Sequence, residues 1–358
     1  ARLSGDEYVI ICPDIDALGG VDTLATRVST LLRTAVPVHG QLVRVTATIG
    51  AAVPNGGPTT AADLLRFADA AMFDAKKRGG GRVSLASAAL IASADRQVHL
   101  EGQLREALAA DALVLHYQPV VGPDGAIQTA EALVRWPHPD RGMLAPDVFL
   151  PVAEQGGLMR ELDRWVLRGA LREAATWPNH CGKPVSVAVN LAGLVPGDPE
   201  FVDIVANAVL EAGIPWERVV LELVETSLID LPNRSLAAMS ELVDRGVRFA
   251  VDDFGTGYSS LARLKELPVQ IIKVDRQFVA GVGSDSSDFA VASAVVDMSR
   301  AMGRNCVAEG VETPTQFHVL RGMGVDAYQG WLFSKAVPVR DFHALIAAGP
   351  LPTPTAST

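Results

Sequence analysis

From about residue 110 onwards the sequence switches repeatedly between two periods. β-rich runs stand at LVLHYQPVV (113–121), IQTAEALVRW (127–136), VSVAVNL (185–191), RVVLELV (218–224), VRFAVD (247–252), VQIIKVD (269–275), NCVAEG (305–310) and DAYQGWLF (326–333), and amphipathic helical stretches separate most of them. Alternating strands and helices bury both faces of a parallel sheet. Eight such runs favour closure into a (β/α)8 TIM-like barrel over an open doubly wound sheet. Several helix ends are legible. Ser235 can cap a helix that stops at Gly246, and Thr313 followed by Pro314 is an N-cap with proline in the first helical position. Phe201, Ile204, Val205, Ala208 and Val209 form one apolar face ahead of Gly213.

The first 85 residues follow a different, α+β pattern. DEYVIICPD reads as a strand after a turn, and RVTATIGAAV as another. ADLLRFADAAMFDAKKRGGG reads as a helix with basic residues in its last turn and a glycine stop, as the helix dipole favours. Residues 94–110 form a helical connector with Leu100, Leu104 and Leu108 on one packing stripe, and PLPTPTAST is expected to be disordered. The abrupt opening, ARLSGDEYVI, reads as a fragment, with room for membrane or sensor segments upstream.

Composition excludes some functions. A net charge of −10 argues against a broad footprint on polymeric nucleic acid. No run of about 18 apolar residues offers a membrane span. Cys12, Cys181 and Cys306 are far apart and odd in number, which suggests a reducing, cytoplasmic setting without a disulfide framework. No histidine pair has metal-binding spacing on a helix, so a zinc hydrolase is disfavoured.

A barrel carries its chemistry at the C-terminal ends of its strands. The polar residues that interrupt or end the apolar runs are Glu131, Asn190, Glu222, Asp252, Asp253, Lys273, Glu309 and Gln329. Alone, each has a plain explanation: a turn cap for Asn190, a rung of a half-exposed strand for Glu222, a snorkelling surface residue for Lys273. Seven successive runs each contributing a polar group, with five carboxylates among the eight, go beyond it. Five carboxylates in a partly dry site stay ionised only beside cations. An all-oxygen set with one amide suits Mg²⁺ or Mn²⁺, and the adjacent Asp252 and Asp253 can serve two ions. Two such ions clamp an in-line attack at phosphorus, and Lys273 adds a cation for the nucleophile or the developing charge. The residues alone therefore point to metal-dependent phosphoester hydrolysis. A glycosidase also uses paired carboxylates, but needs neither the amide nor five acids.

The motif EALVRW (131–136), with YQP (117–119) before it and HPDRG (138–142), PDVFLPVAEQGG (146–157), VAVNL, LELVET, VDDFGTGYSSL, IIKVDRQFV, AEGVET and QGWLFSK after it, resembles the EAL-domain cyclic di-GMP phosphodiesterases. The resemblance runs from about residue 98 to 347. It implies a barrel whose first strand is antiparallel, and hydrolysis of cyclic di-GMP to linear pGpG with two Mg²⁺ or Mn²⁺ ions, Ca²⁺ inhibiting. Carried over by position, Glu131, Asn190, Glu222 and Asp252 resemble the ligands of the first metal, and Asp253 the ligand of the second. Glu309 matches another acidic site residue, acting on metal or water, and Lys273 matches the lysine that holds or deprotonates the nucleophilic water. Gln118, Arg135 and Gln329 match substrate or site contacts, and Glu225 the anchor of the glycine loop after Asp253. SKAVP departs from the family's frequent proline after the lysine, beyond the site.

The front of the chain resembles the second half of a GGDEF diguanylate cyclase domain, through ARLSGDEYVII, VTATIGAAV and ADAAMFDAKKRGGGRV. Its signature is degenerate, reading Ser4, Gly5, Asp6, Glu7, Tyr8, with serine where a glycine would let backbone approach the nucleotide. The earlier elements carrying that family's other metal and guanine contacts are absent from this sequence, so a regulatory or vestigial role, with weak binding of GTP or a metal, is expected. The expected organisation is a partial GGDEF-like segment at 1–86, a connector helix at 87–110, an EAL domain at 111–347 and a disordered tail at 348–358. A homodimer is expected from the resemblance. The alternatives are a non-catalytic cyclic di-GMP receptor and an unrelated metal-dependent barrel enzyme.

Overall fold

The structure, a computed structural model, describes residues 1–358 except 33–34, 39–40, 44, 55–58, 229–230, 256–260 and 355–358. The chain divides into two compact units, Ala1–Gly102 and Gln103–Thr358.

In the first unit, Arg2–Ser4 and Glu7–Tyr8 form an antiparallel hairpin, and Ile49–Ala51 pairs in parallel with Val83–Leu85. The helix Ala61–Lys77 opens on a capping box between Thr60 and Asp63 and carries Lys76 and Lys77 in its last turn. It lies directly on the Ile49–Ala51 strand. A Cβ at Gly50 would stand 1.9 Å from the Ala68 carbonyl oxygen, so only glycine permits this approach. The strands are shorter than the sequence suggested. Of DEYVIICPD only Glu7–Tyr8 is strand, with Val9 exchanging two hydrogen bonds with Ala1 beside it, and Ile10 and Ile11 are exposed. Among the described residues of RVTATIGAAV only Ile49–Ala51 is strand. β-propensity makes a strand only where a neighbour supplies hydrogen bonds.

The helix α1 (Ala88–Ala109) precedes the barrel, with Leu104 and Leu108 buried. The barrel strands are β1 (Val114–Val121), β2 (Ile127–His138), β3 (Ser186–Leu191), β4 (Val219–Val224), β5 (Arg248–Phe254), β6 (Ile271–Val274), β7 (Asn305–Ala308) and β8 (Ala327–Gln329). β2 to β8 are parallel neighbours in order, and β1 closes the ring antiparallel to both β2 and β8. Closure leaves no open edge in the ring. Between the strands run α2 (Pro146–Gln155), α3 (Met159–Ala174), α4 (Phe201–Ala212), α5 (Asn233–Asp244), α6 (Leu261–Glu266), α7 (Arg276–Gly281), α8 (Ser286–Ala301) and α9 (Pro314–Met323), and α10 (Val339–Ala348) follows β8.

Three local expectations change. Ser235 is not a cap: α5 starts at Asn233 after Pro232, and Ser235 is fully buried inside it. The last run is strand only over Ala327–Gln329, because Leu332 and Phe333 close a turn instead, with Phe333 against Phe317. The tail is not wholly solvated: Leu351 is buried and its N–H donates to the Gly125 carbonyl at 2.9 Å. A leucine has apolar area to bury there despite the prolines and threonines around it. As expected, Thr313 caps α9 in a capping box with Gln316, and α4 buries Phe201, Val205, Ala208 and Val209 before a left-handed Gly213.

Candidate active site

A buried apolar layer crosses the barrel through Val120, Ala188, Val220, Ala250, Ile271, Val307 and Ala327. Side chains alternate along a strand, so the next inward position lies two residues on. Those positions hold Asn190, Glu222, Asp252, Lys273, Glu309 and Gln329, and on the reversed strand β1 Gln118. Glu131 joins from β2, level with Gln118 and Ala188. One apolar layer thus floors a polar one.

Lys273 is buried at the centre. Its Nζ lies 2.7 Å from Glu222, 3.0 Å from Asp252, 2.5 Å from Glu309 and 4.0 Å from Glu131. Burial alone would lower the lysine pKa, but Asp252, Glu131, Glu222 and Glu309 outweigh it and hold the ammonium well above its ordinary range. One cation does not neutralise four acids. Burial pushes Glu222 up strongly, against the pull of Lys273, and pushes Glu309 up to about 8. On the other side of the ring, Glu131 accepts hydrogen bonds from Asn190 Nδ2 at 2.6 Å and Gln329 Nε2 at 2.5 Å. Gln329 also donates to Gln118 at 3.3 Å, and Gln118 donates to the Ser334 carbonyl at 3.1 Å.

Adjacent residues on a regular strand point to opposite faces, so Asp252 and Asp253 would normally diverge. Here the register between β5 and β6 shifts between Val251 and Phe254, and Asp253 takes φ +54°. This irregularity brings carboxylate oxygens of Asp252, Asp253 and Glu309 within 4.8 Å of one another. A left-handed non-glycine residue costs on the order of 1–2 kcal/mol, a strain typical of functional sites. Partial burial, the charge of Asp252 and a hydrogen bond with Asp275 raise Asp253 to about 6. Asp252 Oδ1 is buried without a hydrogen bond, although the Lys273 ammonium is 3.0 Å away, and Gln329 Oε1 is also unpartnered. An all-oxygen group with surplus negative charge and an unpartnered amide oxygen on Gln329 fits a hard divalent cation.

Glu225 follows β4 and accepts a hydrogen bond from the Gly255 N–H at 2.9 Å, tying the end of β4 to the end of β5. The rest of the glycine loop, residues 256–260, lies outside the described residues. Arg135 is not drawn into the carboxylate ring and donates to the Val134 carbonyl at 2.8 Å. In the first unit Ser4 ends the hairpin's first strand, Gly5 takes φ +48°, and Asp6, Glu7 and Tyr8 are exposed. A groove of about 850 Å³ along α3, lined by Arg164, Arg168, Arg172, Asp111, Glu161 and Glu173 among others, includes none of the acids around Lys273.

Two acids escaped the sequence reading. Asp275 is buried two residues past Lys273, caps α7 through Gln277 N–H at 2.7 Å and bonds Asp253. The two-residue spacing from Lys273 was the available signal. Asp163 lies on the buried face of α3 beside Leu162, Val166 and Leu167, and takes three backbone N–H bonds from the segment after β3. An acid inside an apolar helical stripe was its signal.

The family model described as EAL domain matches residues 101–336. The chain belongs to the EAL-domain family. A second model, described as diguanylate cyclase, GGDEF domain, matches residues 1–82 ahead of the EAL domain. Over 350 residues, 97% of this chain and 51% of the relative, the sequence is 37% identical to the bifunctional diguanylate cyclase/cyclic di-GMP phosphodiesterase MucR of Pseudomonas aeruginosa. It is 35% identical over 350 residues to the cyclic di-GMP phosphodiesterase NbdA of the same organism, covering 97% of this chain and 44% of NbdA. The chain thus spans about half the length of these curated relatives. A solved structure, the PaMucR phosphodiesterase in complex with c-di-GMP, matches the EAL domain with a TM-score of 0.65 at 39% identity, over 68% of this chain and 99% of that one.

Proposed function

We propose that the EAL domain of this chain hydrolyses cyclic di-GMP to linear pGpG with the help of two divalent cations, Mg²⁺ or Mn²⁺. The observation that carries this reading is the ring of acids around Lys273, with Asp252, Asp253 and Glu309 turned to one point. Glu131, Asn190, Glu222 and Asp252 would hold one ion, and Asp253 the other, with Glu309 facing metal or water. Bound there, the ions would supply Lewis-acid polarisation of the phosphodiester and offset its charge. Ca²⁺, with a looser oxygen shell, is expected to inhibit.

The protein's own groups divide the remaining work. With no cation bound, four acids hold Lys273 as an ammonium, a form suited to donating hydrogen bonds rather than taking a proton. Of the two roles open to it, orienting the attacking water and offsetting charge at phosphorus is the one its environment favours. Glu309, 2.5 Å from Lys273 and facing metal or water, is then the carboxylate placed to receive the water's proton once bound cations hold it ionised. Gln118, Gln329 and Arg135 are assigned to the substrate, the guanidinium being suited to a phosphate oxygen.

Incubation with cyclic di-GMP and Mg²⁺ or Mn²⁺, followed by chromatography, tests this reading. Linear product is expected with either metal, and none with either overturns it; tight binding without turnover would make the chain a receptor instead. A homodimer in a cytoplasmic setting is part of the proposal, and no helix among the described residues is long and apolar enough to cross a membrane.

A further inference from the structure

Asn190 sits at the end of β3, and the chain turns immediately after Leu191. That turn is closed by a side chain from another element. The Oδ2 oxygen of Asp163, on α3, accepts the N–H groups of Ala192, Gly193 and Leu194 at 2.9, 2.7 and 2.8 Å. The carboxylate is buried and has no cationic partner among the described residues. Gly193 presses on the start of α3, where a Cβ would stand 2.5 Å from the Arg160 nitrogen and from Met159. Arg160 pairs with Asp198 and Glu200, and Arg164 with Glu200, further along the same segment. α3 therefore grips the whole segment, but only Asp163 grips the three amides that directly follow the strand bearing Asn190.

A buried carboxylate without a counter-charge is a costly way to close a turn, and a neutral acceptor would do it at less cost. The cost falls two residues past a side chain that donates to Glu131 at 2.6 Å. We infer that Asp163 is a positioning residue for the proposed metal site, fixing the end of β3 so that the Asn190 amide is held against Glu131. It touches neither substrate nor metal, and acts only through where it holds Asn190. This inference rests on the metal reading given above.

The test is a double-substitution cycle read by Mn²⁺ calorimetry, with circular dichroism reporting the fold. Asp163→Ala is expected to weaken Mn²⁺ binding by about tenfold or more, as loss of a residue that orients a ligand does. In an Asn190→Ala background the same change is expected to cost less than about twofold, because its effect passes through Asn190. Asp163→Asn keeps an acceptor in place and is expected to restore affinity to within about threefold of the unsubstituted chain. Equal losses in both backgrounds, or no loss in either, overturn the inference. If Asp163→Ala has no cooperative melt, Asp163→Ser takes its place, and failure of both to fold reduces Asp163 to a folding residue. No Mn²⁺ binding by the unsubstituted chain overturns the metal reading itself, and this inference with it.

Discussion

Lys273 is held by more acids than it can neutralise, and its removal has a defined consequence. Lys273→Ala is expected to lower kcat by about a hundredfold or more, the range for loss of one preorganised charge, while KM stays within about threefold. Steady-state kinetics with Mg²⁺ checks it, and unchanged turnover removes the lysine from the reaction. Asp163 makes a different prediction. Its carboxyl is raised from 3.8 to about 6, because burial outweighs the three amides that favour the anion. A folded-state pKa above the unfolded one means the folded protein binds the proton more tightly. The resulting stability is present below about pH 4 and is lost as pH rises through about 6. The amide introduced by Asp163→Asn does not titrate, so the wild-type chain is expected to lose about 2 kcal/mol relative to that variant between about pH 4.5 and 7. Urea melts with chelator at the two pH values measure the difference, and a gap independent of pH contradicts it.

At the level of elements, period two accounts for how much of the site could be read in the sequence. Glu222, Asp252, Lys273 and Gln329 stand two residues beyond apolar positions of their strands, so a polar residue ending an apolar run was a usable sign. The irregular turn of Asp253 was not readable in this way, because adjacent acids on a strand carry no mark of a register shift. Asp163 and Asp275 depend on which helix packs on which strand end, which no local pattern encodes. The first unit was read less well than the barrel. Its short runs have β-propensity, but their pairing depends on contacts distant in sequence. Gly330 illustrates such a constraint, since a Cβ there would lie 2.1 to 2.6 Å from the Val311 backbone. Gly330→Ala is expected to destabilise the chain by about 1–3 kcal/mol, as overpacking does, and to reduce turnover by displacing the neighbouring Gln329. A thermal melt and an assay on one preparation check both, and an unchanged melt refutes the packing argument.

For the whole molecule, the question is whether the GGDEF-matching unit makes what the EAL domain is proposed to destroy. Its Asp6 and Glu7 are exposed at the tip of a short hairpin. Incubation of an Asp252→Asn variant with GTP and Mg²⁺ is expected to yield no cyclic di-GMP, the substitution preventing its consumption. Accumulation of the cyclic dinucleotide would restore a synthetic role to that unit. A further consequence follows from the direction of β1. Val114 pairs with Arg135 near the finish of β2, whereas Val121 pairs with Ile127 at its start. The chain leaving α1 therefore enters the barrel at the acid-bearing rim and runs inward, whereas an all-parallel barrel would be entered from the opposite end. Gln118 lies on that first inward stretch, level with Glu131. The strand that leaves α1 thus carries a side chain of the polar layer within five residues of its start at Val114.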